Sequence, residues 1–181
     1  MSDIIKYRVN SVTSEHPRYP ASHLLSHLEA GWQSAANCTY PQAITIQFYV
    51  PIRTKKMHML FHQYKIPQLV EVFVKLGSHE KYRKLGYVSP SSNSQSNFEE
   101  KEEKTLYFEF ACTHLRLVLH QHHPNQRNLF GQVALDDLRV DGEVLTSSEL
   151  MGVDLGESSS EDEENDPLTQ SEGVVEQSAS I

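Results

Sequence analysis

Ten histidines and several tight groups of acids and bases are the residues of this 181-residue chain with the means to do chemistry. His62 followed by Gln63, and His120 followed by Gln121, each close an apolar run and lead into a segment with proline, Pro67 and Pro124. His122 and His123 extend the second pair. Zinc takes three or four ligands at about 2.0–2.3 Å, which His62, His120 and either His122 or His123 would supply if two strand ends met. The spacing matches no standard zinc pattern, and no cysteine or carboxylate adjoins either pair. The expectation is therefore structural, with histidines hydrogen-bonded at strand ends. Asp136, Asp137 and Asp141 have the oxygens calcium needs but not the regular alternating spacing of a calcium loop. They read as a β-bulge at Asp136 and Asp137, and a turn at Asp141 and Gly142. No G-x-S-x-G elbow, H-E-x-x-H, P-loop or glycine-rich dinucleotide loop occurs. No catalytic residue, no resident metal and no cofactor are expected, and the chain is read as non-enzymatic.

The basic residues say more. Arg53, Lys55 and Lys56 read as one turn, and Lys81, Arg83 and Lys84 as another, beside Tyr82 and Tyr87. At one end of a fold they would make a positive rim that meets an acidic partner surface, with steering that weakens as salt rises. With His62, Tyr64, His120 and Asn125 at the strand ends they form the candidate interaction surface. Nucleic acid is not expected, because no broad basic face is visible. Further along, Ser158, Ser159 and Ser160 each have an acid three residues downstream, a pattern acid-directed kinases favour.

The elements that position these groups are strands. Apolar residues alternate with polar ones at Ile5, Tyr7 and Val9, at Ile44, Ile46, Phe48 and Val50, and at Met57, Met59 and Phe61. The period of two continues through Val70, Val72, Val74 and Leu76, then Leu106, Phe108 and Phe110. Leu115, Leu117 and Leu119 follow, and finally Val133, Leu135, Leu138 and Val140. Seven or eight short strands with one helical stretch at 23–30 imply an all-β fold, an antiparallel β-sandwich of jelly-roll type. Residues 1–150 form the expected body, interrupted by a long polar loop at 89–104. Residues 151–181 hold nine acids and no Lys or Arg, leaving 15 acids against 16 bases in the body, so the formal charge of −8 belongs to a disordered, acidic, Ser-rich tail. No secretory signal or membrane span is visible, and Cys38 and Cys112 read as reduced thiols.

A fixed succession of strings then carries a resemblance: "GWQSAANCTYPQAITIQF" from Gly31, "MHMLFHQYKIP" from Met57, "VEVFVK" from Val70, "YRKLGYVS" from Tyr82 and "LRLVLHQHHPNQRNLFGQVAL" from Leu115. Over residues 4–142 the chain resembles the N-terminal jelly-roll of the centrosomal protein of 104 kDa family, similar in architecture to discoidin-like and galactose-binding-like sandwiches. The resemblance implies tubulin, microtubules, or centriolar and ciliary-tip proteins as partners. It also implies a place in the cytoplasm and cytoskeleton, at the centrosome or centriole and the cilium. The family's coiled coil, tubulin-binding helical repeats and zinc fingers have no counterpart here, so their activities do not carry over. The alternative is a discoidin-like sandwich that binds a carbohydrate or another small ligand.

Overall fold

The computed structural model describes residues 3–26 and 30–152. Successive side chains of an extended chain point to opposite faces, so the alternating runs become strands with one apolar edge. The strands are β1 (Asp3–Ile4), β2 (Tyr7–Val12), β3 (Trp32–Gln33), β4 (Gln42–Phe61), β5 (Val70–Lys75), β6 (Arg83–Val88), β7 (Glu103–Leu119) and β8 (Ala134–Val144). A short helix, α1 (Ser147–Met151), follows them. Every pairing is antiparallel.

β4 and β7 pass through both layers of the sandwich. The first part of β4 lies between β2 and the end of β7, from Gln42 opposite Leu119 to Gln47 opposite His114. Pairing breaks across residues 48–51 and resumes at Ile52 opposite Cys112, with β8 now on the other flank. One layer is thus β2–β4–β7–β5–β6. The other is β7–β4–β8, with β1 and β3 on the far edge of β8. The fold is an antiparallel jelly-roll sandwich.

The apolar phases of both layers meet between them. Ile44, Ile46, Phe48, Val70, Val72, Val74, Leu115, Leu117 and Leu119 face Ile52, Met57, Met59, Phe61, Leu138 and Val140, all buried. Burying one such side chain contributes about 1.5–3 kcal/mol. Trp32 fills the end of this core and donates its indole N–H to the Ser14 carbonyl at 3.0 Å. The Tyr7 hydroxyl lies 2.7 Å from the Leu138 carbonyl and 3.0 Å from that of Leu24, tying β2 to β8 across the interior.

Several elements differ from the sequence expectation. The runs 44–50 and 57–61 are one bent strand, as are 106–110 and 115–119, because the break in period marks a bend shared by paired neighbours rather than a turn. The helical stretch is a five-residue 3-10 helix at Ala21–Leu25, with residues 27–29 outside the described set. Glu103 and Lys104 belong to β7, not to the loop before it. Asp141 and Gly142 form no turn either; they pair within β8 with Lys56 and Thr54. The bulge is present at Asp136, skipped between Leu60 opposite Asp137 and Phe61 opposite Leu135. Residues 153–181, and with them the tail and Ser158, Ser159 and Ser160, lie outside the described residues.

Gly142 is where two backbones press together, since a Cβ there would sit 2.4 Å from the Arg53 carbonyl oxygen. Gly142→Ala should therefore force β8 from β4 and lower stability by about 1–3 kcal/mol. A urea midpoint equal to that of the unchanged protein would refute the close-approach account.

Candidate functional site

Three loops converge at the end of the sandwich where β4 stops. The Ile66 carbonyl accepts from the His123 N–H at 2.8 Å, and the Gln121 carbonyl from the Gln68 N–H at 2.8 Å, zipping the segment after β4 to the segment after β7. Asn125 locks the same corner. Its amide nitrogen donates to the Tyr64 carbonyl at 2.8 Å and the His123 carbonyl at 3.1 Å, while its oxygen accepts from the backbone N–H groups of Arg127 and Asn128, both at 3.0 Å. The 89–102 loop folds over it: His123 donates to the Pro90 carbonyl at 3.0 Å, and Asn93 to the Gln63 carbonyl at 3.0 Å.

His62 sits inside this corner, its Nδ1 accepting from the Tyr64 N–H at 3.2 Å and the Lys65 N–H at 3.4 Å, its ring edge-on to Tyr64. Removal from water pushes its pKa down to about 4, against the pull of Asp136. His120 points elsewhere. Its Nε2 meets the Glu71 carboxylate at 2.8 Å on the outer face of the five-stranded layer, where Lys84 joins the same carboxylate. The two His-Gln pairs therefore do not converge, and among the described residues no three metal-ligating side chains come together. Asp136 pairs with Lys101, Asp137 with Arg139 at 2.9 Å, and Asp141 with Lys56 at 3.0 Å.

The basic groups are not in turns. Arg53, Lys55 and Lys56 lie within β4, and Arg83 and Lys84 open β6, with only Lys81 in the preceding loop. A long strand absorbs the first cluster because Pro51 marks the bend and the chain stays paired after it. Nor do they form one rim. Arg53 is within 4.0 Å of Glu109 and of Glu149, Lys55 pairs with Glu143, and Lys56 with Asp141. His58 joins this balanced network through Glu103 at 3.0 Å. Arg83 stacks on the Phe110 ring, 4.8 Å from its centre. Of the sequence-named residues, His62, Tyr64 and Asn125 come together; His120 joins Lys84, and the Arg53 cluster stands apart.

A second group escaped the sequence reading. Across the outer face of the five-stranded layer, strand register sets Arg8, Gln47, His114 and Lys75 in one row, and Thr45, Arg116, Phe73 and Lys84 in the next. Tyr82 lies between Arg116 and Lys75, whose cationic ends are 4.5 and 5.1 Å from its ring centre. The signal was present in the polar phase of the strands, which the apolar phase overshadowed.

Residues 31–142 match the family described as Centrosomal protein CEP104, N-terminal domain. The chain belongs to that family. Over 149 residues it is 31% identical to the Centrosomal protein of 104 kDa of Mus musculus and 30% identical to that of Homo sapiens, covering 77% of this chain and 16% of each relative. The chain thus spans about a sixth of the length of the curated relatives it matches. Solved structures share its fold. A family 32 carbohydrate-binding module from C. perfringens NanJ, in complex with galactose, has a TM-score of 0.63 at 14% identity, covering 78% of this chain and 99% of that one. Reduced XRCC1 bound to the DNA pol beta catalytic domain has a TM-score of 0.60 at 17% identity, covering 76% and 97%. These likenesses are of fold: the chain is an antiparallel jelly-roll sandwich like theirs.

The half-buried imidazole of His62 gives this end of the domain a pH dependence. The pKa of His62 in the folded state lies below the ordinary value of about 6.5, so its contribution is complete above that value and is lost as pH falls toward 4. His62→Asn keeps an acceptor without a titrating ring. Denaturant titrations between pH 7 and 4 should show the unchanged protein losing about 2 kcal/mol more than the variant. Parallel curves would remove His62 as the acid-sensitive group.

Proposed function

We propose that this domain is a non-catalytic protein-interaction module of a microtubule-associated assembly at the centriole and ciliary tip. It acts in the cytoplasm and cytoskeleton, at the centrosome and cilium. The observation that carries the reading is membership of the CEP104 N-terminal domain family over residues 31–142. Its partners on this reading are tubulin and microtubules or centriolar and ciliary-tip proteins.

The non-catalytic part is supported by how the reactive side chains are used. The imidazoles of His62 and His123 serve backbone groups. Cys112 is buried in the core, where loss of water pushes its thiol up to about 12, far from a nucleophile at neutral pH. A polar depression within the loop between β6 and β7 is lined by Ser92, Asn93, Gln95, Ser96, Glu100 and Lys101, with no aromatic ring among its lining residues. The contact surface on this reading takes in the loop corner of His62, Tyr64 and Asn125, His120, and the cations Arg53, Lys55, Lys56, Lys81, Arg83 and Lys84. Ser158, Ser159 and Ser160 are proposed phosphorylation sites, each adding about −1.5 to −2 charge.

Tagged full-length chain in ciliated cells should concentrate at centrioles and ciliary tips, and purified chain should pellet with microtubules or with a centriolar extract. Diffuse fluorescence together with no pelleting in either assay would overturn the proposal.

A further inference from the structure

The two outer faces of the sandwich differ in how their charges are used. On the three-stranded layer the cations of β4 and β8 meet carboxylates: Lys55 with Glu143, Lys56 with Asp141, and Arg139 with Asp137. On the five-stranded layer Arg8 donates to the Gln47 amide oxygen, Lys75 to the Ser78 carbonyl, and Arg116 to the Thr45 hydroxyl. None of these three reaches a carboxylate among the described residues. The two acids nearby are engaged, Glu71 by Lys84 and His120 and Glu80 by the Leu76 N–H. His114 registers the resulting positive field: loss of water first, then Lys75 and Arg8, pushes its pKa down.

The same sequence contains a run of opposite sign. Residues 157–166 hold six acids and no base. The described chain ends at Gly152, just after α1, whose Glu149 lies within 4.0 Å of Arg53; seven residues before that end the Leu145 N–H donates to the Pro51 carbonyl at 3.0 Å. That is the bend of β4, four residues from Gln47 in the Arg8–Gln47–His114–Lys75 row. Four neighbouring strands are about 15 Å across, and the residues from 152 to 157 reach up to about 17 Å. A further ten residues extend over roughly 30 Å, enough to cross both cationic rows. A tether this short holds the acidic run at an effective concentration in the ~mM range beside the face.

We propose that residues 157–166 dock on the outer face of this chain's own five-stranded layer, their carboxylates meeting Arg8, Lys75 and Arg116. The contact is electrostatic and weakens with salt. It covers the face until a competing acidic chain displaces it. The proposal goes beyond the functional reading above and does not depend on where in the cell the protein resides.

The test is made on the full chain by NMR at low salt. One variant neutralises the run, combining Glu161→Gln, Asp162→Asn, Glu163→Gln and Glu164→Gln. A second, Arg8→Gln with Lys75→Gln, discharges the face while leaving the contacts of Arg116 with Thr45 and Tyr82 in place. Neutralising the run should move the amide signals of Arg8, Lys75, His114 and Arg116. It should also lower the midpoint of His114, which faces Arg8 of β2, Gln47 of β4 and Lys75 of β5, by about 0.5–1 unit. Raising salt should reproduce both changes in the unchanged protein, and the discharged face should show neither. A synthetic peptide of residues 157–166 should bind the neutralised variant at least about tenfold more tightly than the unchanged chain. Signals at the face that ignore the substitutions would overturn the proposal, as would changes located instead at Arg53, Lys55 and Lys56. Equal peptide affinity for both proteins would also overturn it, by showing the face open to other acidic chains.

Discussion

Paired strands that bend must bend together, and here two of them do. β4 crosses from one layer to the other at residues 48–51, and β7 crosses beside it between Cys112 and His114. Among the described strands their pairing is the most extensive, and both layers are joined to it. A slip of one residue along it would turn every side chain to the opposite face. Ile44, Ile46, Leu115 and Leu117 would then meet water, and Thr45 and Arg116 would enter the core. The interior of about a dozen large apolar side chains therefore holds the register, and the register in turn dictates which polar residues stand in rows outside. Skipped positions between Thr54 and Lys56, and between Leu60 and Phe61, reset the phase so that Met57, Met59, Leu138 and Val140 still point inward.

The consequence is two sheet faces of different electrical character on one backbone. Each exposed ion pair on the three-stranded face contributes about 0–1 kcal/mol, so that network does little for stability. Its effect is to cancel charge: the Arg53, Lys55 and Lys56 cluster presents little net positive potential once Glu109, Glu143 and Asp141 stand beside it. The five-stranded face has cations without such partners, and the guanidinium of Arg116 is stacked on Tyr82, an arrangement that holds a charge in place without neutralising it.

Period two was enough to read the sandwich from the chain, because an antiparallel layer with one wet face writes itself as alternation. Lengths were less legible. The runs 44–50 and 57–61 read as two strands, yet Pro51 between them sits at a bend between layers and lacks only a ladder bond that the bend has already given up. Gly142 looked like a turn residue after Asp141, when its lack of a side chain serves close approach to Arg53 within a sheet. The candidate site was legible only where it was local. The corner built by His62, Tyr64 and Asn125 follows from strand ends joined through backbone bonds. The row of Arg8, Gln47, His114 and Lys75 draws on four strands between residues 8 and 114, and no local window contains it.

What separates these two groups as binding surfaces is spare hydrogen-bonding capacity. Asn125 has its amide nitrogen on two carbonyls and its oxygen on two N–H groups, so a partner that seized it would first break bonds within the fold. Leaving a buried group unpaired costs about 1–3 kcal/mol, which makes such a corner a staple before it is a contact. An arginine carries five N–H donors in a planar fork. Arg116 commits its Nε to Thr45, and Lys75 makes one bond of 3.4 Å to the Ser78 carbonyl. These cations can accept a carboxylate without giving up a bond that holds the loops or the core, so recognition there leaves the fold undisturbed.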